Sequence, residues 1–165
     1  MLTRQTENSL RVLLVDDSRP VRERVRRLIE ESGAAEIVGE AATVAGALAL
    51  FRDLRPETVV LDLHLADGLG FTVLAEVKRT PPACVVIVLT NFDLANCRAC
   101  CRELGADFLF NKAKDFNRVP EVLAGLRAPG VAPQPASTLD ARFQETPKFV
   151  PAIKHQRIAQ PCVTP

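Results

Sequence analysis

The chain has 165 residues, which allows one domain of ordinary size and little more. Hydrophobic residues make up 47% and charged residues 25%, the balance of a soluble globular protein. The formal net charge of +1 gives no whole-chain reason to expect binding to nucleic acid or to an acidic membrane.

The two ends of the chain differ from its middle. The N-terminus lacks the apolar run of a signal peptide, and five cysteines in such a chain indicate reduced thiols in the cytoplasm. Seven of the 12 prolines lie within 128–165, a spacing too dense for a packed element. We therefore expect a leader at 1–9, one domain at 10–127 and a largely disordered tail at 128–165.

Short apolar runs alternate with helical patterns along the middle of the chain. The run 11–15 ends in an acidic pair and predicts a buried strand. Ser18 then suits the N-cap of a helix, Pro20 its first turn and Gly33 its end. The next predicted strands are 36–40, 58–63, 85–90 and 108–111, and the next predicted helices are 44–54, 70–79, about 93–104 and 116–127. Five strands alternating with five helices predict a parallel α/β sheet with helices on both faces.

Polar side chains stand where four of these strands end. They are Asp16 and Asp17 at the first strand, Asp62 at the third, Thr90 at the fourth and Lys112 at the fifth. The carboxyl ends of parallel strands form the functional crevice of an open sheet. We therefore expect three carboxylates, a hydroxyl and an ammonium group to meet at one site.

The chemistry of such a site favours phosphoryl transfer. Three ionised carboxylates repel one another, and their oxygen atoms suit Mg²⁺. Lys112 can pair with one phosphoryl oxygen and Thr90 can donate a hydrogen bond to another. One carboxylate then remains as a nucleophile, and Asp62 is the natural choice because Asp16 and Asp17 are better placed to bind the metal.

Four segments resemble the motifs of a known family. They are VLLVDDS (12–18), VVLDLHLADGLG (59–70), VIVLTN (86–91) and GADFLFNK (105–112). Together they are similar to the receiver domain of two-component response regulators, over about 10–127. The resemblance implies a flavodoxin-like fold, a doubly wound (βα)5 sheet with strand order 2-1-3-4-5.

The resemblance also implies roles and partners. Asp62 would accept a phosphoryl group from a histidine kinase or a histidine phosphotransfer protein. Asp16, Asp17 and Asp62 would hold Mg²⁺ with the backbone carbonyl of His64. The domain would be a stand-alone phosphoacceptor and not an enzyme in its own right. It would signal to a downstream protein by direct contact, and it would dimerise through the fourth helix, fifth strand and fifth helix.

Switching in this family implies a further pair of residues. Thr90 would turn toward the phosphoryl group, and the residue at Leu109 would respond. The family usually has an aromatic residue at that position, whose ring swings inward when the threonine moves. Leucine has no such ring, so Phe108 and Phe110 are the candidates to compensate.

Other departures concern the loop that follows Asp62, here called the acceptor loop, and the residue after Thr90. Ala66 replaces a usual proline, which predicts a less rigid loop. Asn91 is larger than the small residue usual beside the threonine, and His64 lies two residues after Asp62. These two residues predict an altered lifetime of the phosphoryl group.

Several residues also have plainer interpretations. The carboxylates at the strand ends can simply cap helices. Cys97, Cys100 and Cys101 predict buried thiols and not a zinc site, because no fourth ligand accompanies them. The arginines of the first helix form either a solvated face or the docking surface of a partner; they are Arg19, Arg22, Arg24, Arg26 and Arg27.

Alternative functions remain open at this point. One is a phosphate-independent adaptor with a vestigial site; the intact set of five site residues argues against it, and Leu109 keeps it open. Another is the receiver part of a DNA-binding regulator, although the tail has too many prolines for a helix-turn-helix domain. A haloacid-dehalogenase-like phosphatase is excluded, because His64 stands where that family has its second aspartate. We expect no contact with membranes and no direct DNA binding.

Overall fold

The computed structural model describes residues 9–91 and 94–127. Residues 1–8 of the predicted leader, the predicted start of the fourth helix at Asp93 and the predicted tail at 128–165 lie outside the described residues. Among the described residues, no helix is both long enough and apolar enough to cross a membrane.

The described residues form seven strands and five helices. The strands are β1 (Leu10–Val15), β2 (Ala35–Ala41), β3 (Thr58–Leu61), β4 (His64–Leu65), β5 (Gly68–Leu69), β6 (Val85–Thr90) and β7 (Phe108–Asn111). The helices are α1 (Arg19–Ser32), α2 (Val44–Leu54), α3 (Phe71–Arg79), α4 (Leu94–Glu103) and α5 (Arg118–Arg127).

Five of the strands form one parallel sheet in the order β2-β1-β3-β6-β7. Counting only the strands of this sheet, the order is 2-1-3-4-5, so the predicted topology is confirmed. The order reverses direction at β1 and β3, which are neighbours in the sheet. Polar residues that follow these two strands therefore lie side by side at the switch point of the sheet.

The sheet is buried on both faces, as the continuous apolar strands predict. One face of β1 carries Leu13 and Val15, which pack in a cluster with residues of α2, α3 and α4. The other face carries Val12 and Leu14, which pack with residues of α1 and α5. All four side chains are almost fully buried, so β1 is covered on both faces of the sheet.

Local sequence signals explain the helix ends. Ser18 is the extended N-cap of α1, Pro20 occupies its first turn, and Gly33 ends it in the left-handed region with φ of 61°. The side chain of Ser18 makes no capping hydrogen bond. At α2 the hydroxyl of Thr43 accepts a hydrogen bond of 3.0 Å from the backbone amide of Gly46.

The structure differs from the prediction after β3. That strand ends at Leu61, and β4 and β5 then form a short antiparallel hairpin that the sequence did not predict. Phe116 was predicted to begin the last helix but precedes α5, which begins at Arg118. The correction follows from local bonding, because turns beginning at Asn111 and Asp115 occupy the backbone groups there.

The hairpin is joined to the start of α2. The carboxylate of Asp67 accepts hydrogen bonds from the backbone amides of Val44 at 2.5 Å and Ala45 at 3.2 Å. The backbone amide of Ala66 donates to the carbonyl of Ala42 at 3.1 Å. A proline at position 66 could not make this bond, so alanine gives the loop an anchor that the family's usual residue lacks.

Candidate functional site

The predicted site residues lie at the carboxyl edge of the parallel sheet. Asp16 and Asp17 follow β1, Asp62 follows β3, Thr90 ends β6 and Lys112 follows β7. Asp17 is exposed, whereas the other four are buried. Burial of three ionisable side chains at one edge is costly unless they are paired, so their contacts with one another decide what the site can do.

Backbone hydrogen bonds between neighbouring strands fix three of these residues. The amide of Asp62 donates to the carbonyl of Val15 at 2.8 Å, and the amide of Asp16 donates to that of Ala41 at 3.0 Å. The amide of Lys112 donates to the carbonyl of Thr90 at 3.0 Å. The sheet ladder therefore continues into the site, which places its side chains on rigid backbone.

Lys112 joins the two buried carboxylates. Its Nζ atom lies 2.6 Å from Oδ2 of Asp16 and 2.5 Å from Oδ2 of Asp62. Asp16 is also held through Oδ1, which accepts a hydrogen bond of 2.9 Å from the backbone amide of Ser18. Short charge-assisted bonds of this kind are among the strongest that side chains form.

Burial and pairing both change the pKa values of Asp16 and Lys112. Burial raises the pKa of Asp16, and the hydrogen bond and charge of Lys112 offset part of that rise. Burial alone would lower the pKa of Lys112, but its hydrogen bonds to Asp16 and Asp62 outweigh burial and raise it. Lys112 is therefore a permanent cation at neutral pH, able to pair with an incoming anion.

The carboxylates fit a divalent cation. Carboxylate oxygens of Asp16, Asp17 and Asp62 all lie within 4.8 Å of one another, and among the described residues no other group of three or more metal-ligating side chains is this close. Oδ1 of Asp62 is buried and has no hydrogen-bond partner within the described part of the chain. Three carboxylates with one ammonium group leave two negative charges in excess, which Mg²⁺ would balance.

A family model for the response regulator receiver domain matches residues 12–124. The chain belongs to this family. The match covers β1 through most of α5, and thus every strand of the sheet and every residue of the site. Receiver domains are signalling domains of two-component systems, so the predicted family and the predicted fold are both confirmed.

Curated relatives place receiver domains in larger proteins. The chain is 31% identical over 146 residues to a protein-glutamate methylesterase/protein-glutamine glutaminase of Alkalilimnicola ehrlichii, covering 79% of this chain and 37% of that protein. It is 31% identical over 151 residues to the transcriptional regulatory protein BtsR of Escherichia coli, covering 90% of this chain and 60% of that protein. The chain thus spans less than two thirds of the length of either relative.

Solved structures support the fold. The signal receiver domain of the putative response regulator NarL from Mycobacterium tuberculosis matches with a TM-score of 0.67 and 25% identity. The match covers 73% of this chain and 97% of the NarL receiver domain.

The receiver's predicted switch position lies on one face of the sheet and its neighbours on the other. Leu109 is buried in the cluster that contains Cys97 and Cys101 of α4. Phe110 and the half-buried Phe108 pack in the opposite cluster, with α1 and α5. Neither phenylalanine therefore lies on the face of the sheet that Leu109 occupies, and whether they compensate stays a prediction.

The cysteines of α4 are only partly as predicted. Cys97 and Cys101 are buried on one helix face, but Cys100 is exposed. They form no group that could bind a metal, within the part of the receiver that the structure describes. Cys100 is one residue from Cys101, which is about 100° around the helix, and its side chain is exposed.

A cavity of about 330 Å³ lies at the opposite edge of the receiver's sheet. It is lined by the first residues of three strands, Leu10, Thr58 and Val85, and by the 81–84 segment. It contains no cluster of ionisable groups comparable to the carboxylate site. Among the described residues, the cluster of ionisable groups lies at the carboxyl edge of the sheet and not in this cavity.

Three receiver residues near the site were not predicted. Gly70 is the N-cap of α3 and lies against the backbone of Asp62, so that an added Cβ would lie 2.2 Å from the Asp62 carbonyl oxygen. Asp67 joins the acceptor loop to α2, and Arg22 donates to the backbone carbonyl of Asp16 at 2.6 Å. Glycine and charged surface residues are common along any chain, so no spacing in the sequence distinguished these three.

Proposed function

We propose that the chain accepts a phosphoryl group on Asp62 from a histidine-phosphorylated partner, either a histidine kinase or a histidine phosphotransfer protein. The observation that carries this proposal is the state of the Asp62 carboxylate. Oδ2 is held by Lys112 at 2.5 Å, while Oδ1 is buried and has no partner among the described residues. A carboxylate fixed through one oxygen offers the other as a positioned nucleophile.

The proposed transfer exchanges one bond to phosphorus for another. Oδ1 of Asp62 attacks phosphorus, the new O–P bond forms, and the N–P bond of the phosphohistidine breaks. The leaving imidazole keeps the electron pair of that bond and takes up a proton from solvent. Lys112 pairs with one phosphoryl oxygen and the hydroxyl of Thr90 donates to another, which stabilises the transferred group.

Mg²⁺ is the cofactor that this site would hold. Asp16, Asp17 and Asp62 supply the carboxylate oxygens, and we assign a further ligand to the backbone carbonyl of His64. When bound, the cation neutralises charge on the phosphoryl oxygens during transfer. The excess of two negative charges among the described groups is what supports this assignment.

The proposal is tested by labelling with acetyl phosphate. The native chain, Asp62→Ala and Asp53→Ala are incubated with labelled acetyl phosphate in Mg²⁺ and in EDTA. Asp53 is an exposed aspartate on α2, away from the strand ends, and serves as the matched control. We expect hydroxylamine-sensitive label on the native chain and on Asp53→Ala in Mg²⁺ only, and none on Asp62→Ala.

Two results would contradict this function. Label that persists in Asp62→Ala would mean that another residue is the acceptor. A native chain that stays unlabelled by acetyl phosphate and by phosphorylated kinases would favour the adaptor, which acts without phosphate and whose site is vestigial.

A second candidate is the receiver part of a DNA-binding regulator. The similarity to BtsR, a transcriptional regulatory protein, favours it. The described residues form receiver elements alone, and we keep the prediction of one domain at 10–127. Gel-shift titration of a random duplex pool, with and without acetyl phosphate, separates the two: retardation by this chain would support direct DNA binding.

Signal output is proposed to pass through protein contacts. A homodimer through α4, β7 and α5 is the arrangement that the family resemblance implies. Sedimentation of the native chain and of Asp62→Ala, each with and without acetyl phosphate, tests it. We expect association of the native chain alone, and only after phosphorylation.

A further inference from the structure

Arg22 reaches from α1 to the backbone of the loop after β1, here called the acidic loop because it contains Asp16 and Asp17. Its Nη1 atom donates a hydrogen bond of 2.6 Å to the carbonyl oxygen of Asp16, and its side chain is only 16% exposed. The other arginines of α1 were expected to share one solvated face with it. Arg22 differs from them because its guanidinium lies against the peptide that joins two of the predicted metal ligands, Asp16 and Asp17.

Glu40 holds the guanidinium of Arg22 in this orientation. Oε2 of Glu40 accepts from Nε of Arg22 at 3.2 Å, while Oε1 accepts from Nε of Arg26 at 2.9 Å. Glu40 lies in β2 opposite Leu14 of β1, one residue pair from the end of the ladder. The ion pair therefore ties α1 to the sheet at the level of the acidic loop.

Asp16 is consequently fixed through both of its backbone polar groups. Its amide donates to the carbonyl of Ala41 at 3.0 Å, and its carbonyl accepts from Arg22. The direction of the Asp16 side chain and the course of the chain into Asp17 both depend on the orientation of this peptide. Groups that orient metal ligands from behind typically change metal affinity by about 10- to 100-fold when they are removed.

We propose that Arg22 is a positioning residue for the cation site, which it organises by holding the Asp16–Asp17 peptide through the Asp16 carbonyl oxygen. This inference rests on the proposed function, since it takes the three carboxylates as the Mg²⁺ ligands. Arg22 touches neither the cation nor the phosphoryl group. It acts through the backbone, and Glu40 sets its orientation.

The chain offers a matched control for this role. Arg26 lies one helical turn after Arg22 on α1 and pairs with the same Glu40, but it makes no hydrogen bond to the acidic loop. Arg22→Met and Arg26→Met therefore each remove an arginine from the Glu40 ion pair. Only the first removes the donor to Asp16. Arg22→Lys shortens the side chain but keeps a cation, and is included in case Arg22→Met folds poorly.

The experiment measures Mg²⁺ binding directly and labelling separately. Calorimetric titration gives the Kd for Mg²⁺ of the native chain and the three variants. Acetyl phosphate labelling over a series of Mg²⁺ concentrations gives the half-saturating concentration and the maximal rate. Thermal unfolding in EDTA reports how far each substitution weakens the fold without metal.

We expect Arg22→Met to raise the Kd for Mg²⁺ and the half-saturating concentration about tenfold. Its maximal labelling rate at saturating Mg²⁺ should stay within about twofold of the native rate, because the nucleophile and Lys112 are unchanged. Arg26→Met should bind Mg²⁺ within about twofold of native, and Arg22→Lys should fall between native and Arg22→Met.

This inference alone would be overturned if Arg22→Met, Arg26→Met and the native chain bound Mg²⁺ with equal affinity while Asp62 was still labelled. The proposed function would then stand. Equal losses in both variants, in proportion to lower unfolding temperatures, would also overturn this inference and leave Arg22 a structural brace. A native chain that neither binds Mg²⁺ nor is labelled would overturn the proposed function and this inference with it.

Discussion

Gly70 is where the acceptor loop leaves no room for a side chain. Its backbone has ordinary right-handed dihedral angles, so glycine is not needed there for conformational freedom. A Cβ at this position would instead lie 2.2 Å from the carbonyl oxygen of Asp62 and 3.0 Å from Cα of Leu63. Both contacts are with backbone, so no side-chain rotation can relieve them.

The cost of Gly70→Ala follows from that geometry. Real Cβ contacts stay beyond 3.0 Å, so α3 and the acceptor loop must move apart by about 1 Å. Backbone shifts forced by overpacking cost about 1–3 kcal/mol of unfolding free energy. Displacement of a reacting group by about 1 Å costs about 100-fold in rate, so we expect slower labelling of Asp62 as well as lower stability.

Urea denaturation and acetyl phosphate labelling measure the two effects separately, at a temperature where the variant is fully folded. Gly125→Ala is the control, because a Cβ at Gly125 in α5 meets nothing within 4 Å. Alanine there should leave labelling unchanged and stabilise the helix by about 0.5–1 kcal/mol. Native stability and native labelling in Gly70→Ala would refute the reasoning, since the loop would then be free to move.

Four further perturbations test other features. Asp67→Ala should lower the melting temperature at pH 7, because the Asp67 carboxylate accepts hydrogen bonds from backbone amides at the start of α2. These hydrogen bonds hold the pKa of Asp67 below its ordinary 3.8. The difference in melting temperature from the native chain should therefore vanish as the pH falls through that lowered pKa. Burial raises the pKa of Cys84 and Cys101 to about 12, so iodoacetamide at pH 8 should alkylate exposed Cys100 before either, as peptide mass mapping would show. The same two thiols contribute stability that is present below pH 9.0 and is lost as the pH rises toward 12, which alkaline denaturation measures. Leu109→Phe should cost about 1–3 kcal/mol in urea denaturation, and an unchanged midpoint would show unfilled space beside α4.

The sheet and the main features of the site were predictable for a shared reason. Apolar runs of strand length buried on both faces are distinctive, and Val85–Thr90 and Phe108–Asn111 were predicted with the bounds that the structure shows. Once the strands are parallel and in order, whatever follows them must meet at one edge. Asp16, Asp62 and Lys112 lie together because of the sheet topology. That topology could be predicted from the alternation of strand and helix patterns in the sequence.

Features that depend on side-chain reach were not predictable in this way. The β4–β5 hairpin has two residues in each strand, which is too few to show a periodicity in the sequence. It is held by a hydrogen bond to Asp67 from the backbone at the start of α2. Arg22 looks like its neighbours in sequence, and only the position of the Asp16 carbonyl makes it different. Such contacts depend on distances between separate elements, which composition and spacing do not encode.

Strand alternation also places the residues of the predicted switch on one face of the sheet. Val86 and Val88 share a face of the sheet with Leu109, and the alternation along β6 puts Thr90 on that same face. Phe108 and Phe110 face α1 and α5, and the guanidinium of Arg118 covers the ring of Phe110 at 4.6 Å. We therefore expect a movement of Thr90 to be passed toward α4 through Leu109, Cys97 and Cys101, and not through a ring that turns at the α5 surface. A response in α4 that is strong in the native chain and blunted in Leu109→Ala, seen by amide exchange after phosphorylation, is what this packing requires.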